Sequence, residues 1–212
     1  HWATITEMER IIDERPDSVL NVLQAIETDE LVGDEERAKH ALLLSMALDK
    51  NFIDKTDFEV LQPAIDYYED NGSATDKLRT YYYQGRIYQN AGNDALAMKC
   101  YINALESSGE SKDILTKARV YVAQGLIYAS LLKWNDSNNA YQQAAECFYE
   151  TNRIDSYVNC LLKIYNGYIQ NGDYSEAEMI LHKCDAYFDV MSNNKLGKYY
   201  AALLIILIEK GD

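Results

Sequence analysis

Apolar positions recur along this chain at helical spacing and, on a longer scale, every forty residues. Tyr81, Gln84, Gly85 and Tyr88 are followed by Tyr121, Gln124, Gly125 and Tyr128, then by Leu161, Ile164, Tyr165 and Tyr168. A unit of that length cannot bury its own apolar face, so such units stack, and their shared surface is the one available for binding. No segment alternates apolar and polar residues with period two, so strands are not expected.

Punctuation places the helices. Asp34 ahead of Glu35 and Glu36 predicts an N-cap and an acidic first turn, and Ala38, Ala41, Leu42, Ser45 and Leu48 continue an apolar stripe to about Asn51. Asp57 is expected to cap the next helix, which runs through Leu61, Ile65 and Tyr68 to a stop at Asn71-Gly72. Helix pairs are expected over about 74–91 with 94–107, 112–131 with 134–150, and 153–171 with 174–191. Upstream, Thr4 or Thr6 opens a short helix, Pro16 interrupts, and Asp17 to Ile26 forms another. The fold class is all-α: an α-α superhelix of antiparallel hairpins. An N-terminal helical pair in residues 1–33 packs on a repeat domain spanning 34–212. Gly85 and Gly125, with Ala97 and Ser137 opposite, are read as sites of close helix approach, and Tyr88 and Tyr128 fill the wider gap one turn later.

Composition narrows the function. Apolar residues make up 48% and charged residues 25%, with two prolines, which is the balance of a folding chain. The 34 acidic residues outnumber the 20 basic ones, and a net charge of -14 repels phosphate backbones, so nucleic-acid binding is not expected. Cys100, Cys147, Cys160 and Cys184 lack metal-type spacing and read as core thiols. Cys147 and Cys160 flank one inter-helix turn, and whether they are oxidised stays open. His1, His40 and His182 are far apart, and no glycine-rich phosphate loop follows a strand. No catalytic residue, metal or cofactor is therefore expected.

The motifs resemble the tetratricopeptide repeat family, whose signature is an aromatic, Leu-Gly and Tyr on the first helix, with Ala, an aromatic and Ala on the second. Tyr81, Gly85, Tyr88, Ala97, Tyr101 and Ala104 match it, as do Tyr121, Gly125, Tyr128, Ser137, Tyr141 and Ala144. The third unit keeps Leu161, Tyr168, Ala177 and Leu181 but has Tyr165 for the glycine and Cys184 for the last alanine. Earlier, Ala41, Ser45, Leu48, Leu61 and Ala64 hold the same register, so the resemblance covers about 34–212. It departs in period, forty against roughly 34, and in lacking the closing proline, with Gly109 at that place. The longer units, preceded by the segment from Met8 to Leu20, resemble the N-terminal part of bacterial signalling proteins. That resemblance implies a sensory or protein-binding segment outside the cytoplasm, periplasmic or lipid-anchored. The start at His1 reads as a removed natural start, which leaves the compartment open, cytoplasmic included.

By the same resemblance the second signature position of each unit faces a concave groove. Those positions hold Lys39, Arg79, Arg119 and Asn159, with Lys198 after them. Arg79, Arg119 and Arg86, with Tyr82 and Gln89, are the expected contact strip for a protein or peptide carrying acidic groups. The competing reading pairs these cations with the many surrounding carboxylates. The form of the family that clamps a C-terminal carboxylate is not expected, since its lysine positions carry Leu42, Tyr82, Val122 and Leu162 and only Asn166 falls on a clamp asparagine. The run from Tyr199 to Ile208 is ten apolar residues, too short to span a bilayer. It reads as the first helix of a further unit with its outer face uncovered. A dimer through 199–208 is the expected consequence of the absent next helix, and the alternative function is an oligomerisation module with no ligand in the groove.

Overall fold

The computed structural model describes residues 1–210, and among them there are helices and turns but no strand. The helices pack chiefly on their neighbours in chain order. The chain forms two compact units, His1–Lys112 and Asp113–Asp212, and the first takes in the whole of the 1–33 segment.

The first unit contains α1 (Trp2–Ile11), α2 (Pro16–Gln24), α3 (Gly33–Lys50), α4 (Gln62–Asn71), α5 (Ala74–Asn90) and α6 (Asp94–Glu106). Helices α1 and α2 both pack on α3. Buried His40 of α3 ties it to α2, its Nε2 donating to the Leu23 carbonyl at 2.8 Å. Pro16 starts α2 in its first turn, where the missing N–H costs nothing. Ser73 caps α5 with a reciprocal Ser73–Asp76 capping box, and Asn93 caps α6. Three expected starts move, the first being α1, which begins at Trp2, ahead of Thr4 and Thr6. Helix α3 begins at Gly33, ahead of Asp34, and its orphan end is served by Glu36, whose carboxylate accepts the Val32 N–H at 2.6 Å. Helix α4 begins at Gln62 rather than after Asp57, because Pro63 is tolerated in a first turn and breaks a helix interior. Asp57 instead accepts the Glu59 N–H at 3.1 Å in a short turn.

The second unit contains α7 (Ile114–Ser130), α8 (Trp134–Glu150), α9 (Ile154–Asn171), α10 (Tyr174–Asp185) and α11 (Asn193–Lys210). Its core is built from Tyr141, Val158, Leu161, Tyr165, Leu181 and Cys184, all nearly inaccessible. Asp113 caps α7 through the Thr116 N–H. Helix α10 stops at Asp185, short of the expected 191. The chain turns so that Met191 is buried and Phe188 lays its ring edge-on to Tyr199 and Tyr200. Helix α11 presents Tyr199, Ala202 and Ile206 to the core, and Tyr165 donates its hydroxyl to the Ala202 carbonyl at 2.9 Å.

The forty-residue period is written into the backbone. Phe52, Gly92, Leu132 and Gly172 all have left-handed φ, at 59°, 76°, 58° and 78°. The N–H that follows each reaches back to the carbonyl of Leu48, Tyr88, Tyr128 or Tyr168 at 2.8 to 3.0 Å, closing the preceding helix as a Schellman cap. Helix contacts carry the same register. A Cβ on Gly85 would stand 2.3 Å from the Tyr101 ring, and one on Gly125 would stand 3.0 Å from Tyr141. Ser137 donates to the Gly125 carbonyl at 3.0 Å. The α9–α10 pair has no such glycine contact among the described residues, and Gly167 of α9 instead faces the preceding helix, where its added Cβ would stand 2.0 Å from Asn138 of α8.

Candidate functional site

In the first unit the expected cations are already occupied. Glu9 of α1 places Oε2 2.8 Å from Lys39 Nζ and Oε1 2.7 Å from Arg79 Nη1. Lys39 also stands over the Trp2 ring at 5.0 Å. Burial pushes the Glu9 carboxyl upward, but Lys39 and Arg79 together outweigh it and hold the group below the usual glutamate value. Arg86 of α5 donates through Nε to Asp49 at 2.9 Å and through Nη1 to Gln89, whose side-chain oxygen also accepts the Tyr101 hydroxyl at 2.9 Å. Burial works against the Arg86 charge, and the Asp49 carboxylate more than compensates, leaving it more basic than usual. Tyr82 is buried rather than groove-facing, its ring edge-on to Tyr83 at 4.8 Å and tilted toward Tyr101 at 6.1 Å. The α5 contact strip thus reads as an internal network, and intramolecular carboxylates answer Lys39, Arg79 and Arg86.

In the second unit Arg119 is half-buried and engaged within the structure. Asn166 is exposed and lines an open recess of roughly 630 Å³ between α9 and α11. Asn159, Lys163 and Asn166 follow one another at i, i+4 and i+7, so they share one face of α9. Lys198 of α11 faces the same space, over an apolar floor that includes Leu162, Ala202 and Ile205. Neither Lys163 nor Lys198 has a carboxylate partner among the described residues, whereas nearby Lys195 is paired with Asp155 at 3.4 Å. Lys163 was not among the expected groove residues. Its signal was legible as the i+4 neighbour of Asn159, but the forty-residue signature has no place for it. Two ammonium groups and two amides over an apolar floor suit an extended chain segment bearing carboxylates.

Cys100, Cys160 and Cys184 are free and buried, and burial raises their thiols to about 11, 12 and 12, far from the reactive thiolate range. Cys147 is free and half-buried. Among the described residues no three His, Cys, Asp or Glu side chains are grouped to hold a metal ion, and no helix is long and apolar enough to cross a membrane. No protein-family model matches the chain, and no curated protein sequence matches it.

Proposed function

We propose that this chain is a non-catalytic scaffold of the tetratricopeptide type, a superhelix of helical hairpins, that binds a protein or peptide segment rich in carboxylates. One observation carries the reading. In a chain of net charge -14, the α9–α11 recess keeps Lys163 and Lys198 without ion-pair partners among the described residues. The left-handed turns at 52, 92, 132 and 172 and the glycine–tyrosine contacts support the repeat type. The wider setting, as the sensory or interaction segment of a bacterial signalling protein outside the cytoplasm, rests on the resemblance of the motifs.

A panel of fluorescent decapeptides with two to four Asp or Glu residues, read by anisotropy against the wild-type chain and a Lys163→Glu, Lys198→Glu double variant, tests it. The expected result is saturable binding that weakens at least tenfold in the variant at equal helicity. Absence of binding by every acidic peptide, or equal binding by both proteins, overturns it.

A second reading, self-association, has its own support in α11, where Leu204, Leu207 and Ile208 are 58%, 40% and 64% exposed. Light scattering on the wild type and Leu204→Glu, Ile208→Glu separates the two. A dimer that the variant abolishes favours self-association.

A further inference from the structure

Helix α5 turns Lys77, Tyr81 and Gln84 to one side, at i, i+4 and i+7, with Thr80 beside them. Across a cleft of roughly 300 Å³ they meet Ile65, Tyr68 and Glu69 of α4. At ten residues α4 is shorter than α6, α8 or α10, which hold its place in the later hairpins, and Lys77, Tyr81 and Gln84 stay half-buried beside it. The volume is at the small end for ligand sites, about 300–1,000 Å³.

The lining is chemically uncommitted. The Lys77 ammonium and the Glu69 carboxylate enter the cleft from facing helices, yet they close no ion pair with each other or with any other described residue. Burial first, and the Glu69 charge second, push the Tyr81 hydroxyl above its usual value, which sets that charge near the polar end of the ring. The Gln84 side chain makes no hydrogen bond among the described residues. Thr80 is 5% exposed, and its Oγ1 is buried with no hydrogen-bond partner. Forty residues on, the same place in α7 is filled by Val120, 0% exposed. Valine has the shape of threonine, so packing alone is served by valine, and an unmet hydroxyl costs stability.

We infer that the α4–α5 cleft binds a free α-amino acid with an apolar or aromatic side chain. Lys77 takes its carboxylate and Glu69 its ammonium, with the Gln84 amide and the Thr80 hydroxyl completing the hydrogen bonds of the head group. Ile65 and the rings of Tyr68 and Tyr81 cover the side chain. A simple anion would meet Glu69 as a like charge and a simple cation would meet Lys77, so a dipolar ion is the species that answers both. The cleft lies wholly in the first unit and shares no residue with the α9–α11 recess, so it stands or falls without peptide binding there.

The probes are L-leucine and L-phenylalanine, each beside its deaminated acid and its decarboxylated amine, titrated into the whole chain and followed by ligand-observed NMR. At least one amino acid is expected to bind saturably, at least tenfold more tightly than its acid or its amine. Lys77→Met is expected to weaken that binding at least tenfold. Thr80→Val is expected to weaken it about tenfold while its Tm equals or exceeds that of the wild type, whereas a hydroxyl with a purely structural role would lower Tm and leave binding unchanged. Absence of binding by both amino acids, an acid or amine that binds as tightly as its parent, or variants that bind like the wild type overturn the inference. If circular dichroism shows that either variant does not fold, the side-chain amide signal of Gln84 in the wild type decides. Its shift at saturating amino acid supports the site, and an unmoved signal refutes it.

Discussion

Tyr101 and Tyr141 hold the same place in successive units and differ by one hydrogen bond. The Tyr101 hydroxyl donates to Gln89, but the residue forty positions after Gln89 is Ala129, and the buried Tyr141 hydroxyl has no partner. Removing each oxygen should therefore have unequal effects. Tyr101→Phe should cost about 1 kcal/mol, while Tyr141→Phe should be neutral or stabilise slightly, because the deleted group is buried and unpaired. Urea denaturation of the two variants checks this, and equal losses would refute it. The glycines beneath these rings divide the same way. Alanine gains about 1 kcal/mol over glycine in a helix, but at Gly85 the new Cβ meets, at 2.3 Å, a ring anchored by its hydroxyl. Gly85→Ala should lose about 1–3 kcal/mol net through overpacking. Gly125→Ala, 3.0 Å from an unanchored ring, should come out near zero in the same experiment. The glycines were legible in the sequence as small residues in a helical period. Ser137 does meet Gly125 as expected, but the tyrosine rings against both glycines were not foreseen, because they reach in from one turn beyond Ala97 and Ser137.

At the scale of elements, a left-handed turn residue closes each of α3, α5, α7 and α9, and only two of the four are glycine. Leu132 and Phe52 adopt left-handed φ with side chains 71% and 93% exposed. They accept the steric cost of that conformation while burying little in return. Leu132→Gly and Phe52→Gly should each raise stability by about 0.5–1 kcal/mol, seen as a higher Tm in calorimetry with helicity unchanged. A drop in Tm for both would mean that the exposed side chains contribute contacts outweighing the strain. Here the helices were legible and their ends less so. Ser73, Asn93 and Asp113 have capping side chains that mark their helices in the sequence. Asp57 looks the same on paper, yet Pro63 moves the start of α4 to Gln62. The turn at Leu132 is invisible in composition, since nothing about leucine announces a left-handed backbone. The candidate site was legible in chemistry but not in placement. Cations do recur every forty residues, but which of them meet carboxylates depends on Glu9 and Asp49, which belong to no motif.

Over the whole molecule, two electrostatic effects oppose each other. The excess of acidic residues, net -14, repels itself in the folded chain, and added salt screens that repulsion as the Debye length falls to about 8 Å at physiological ionic strength. Helix α1 is held partly by attraction, and salt weakens that. The groups facing Glu9 are Lys39 on α3, Arg79 on α5 and the Tyr68 hydroxyl on α4. The folded pKa of Glu9 lies below its ordinary 4.5. Its stabilisation is therefore complete above that value and is lost as pH falls through the lower, folded one. Asp185 behaves likewise, held down chiefly by the Tyr199 hydroxyl and His182. Raising NaCl from low concentration to roughly 0.15 M at neutral pH should thus raise Tm, while the exchange of α1 amides relative to α3 speeds up. Acidification from pH 4.5 down through the lowered folded pKa of Glu9 should loosen α1 and lower Tm together. Hydrogen exchange and calorimetry on one salt and pH series measure both quantities. If α1 protection instead rises with salt in step with Tm, Ile5 and Ile12 hold the helix, and the Glu9 bridge contributes little to its docking.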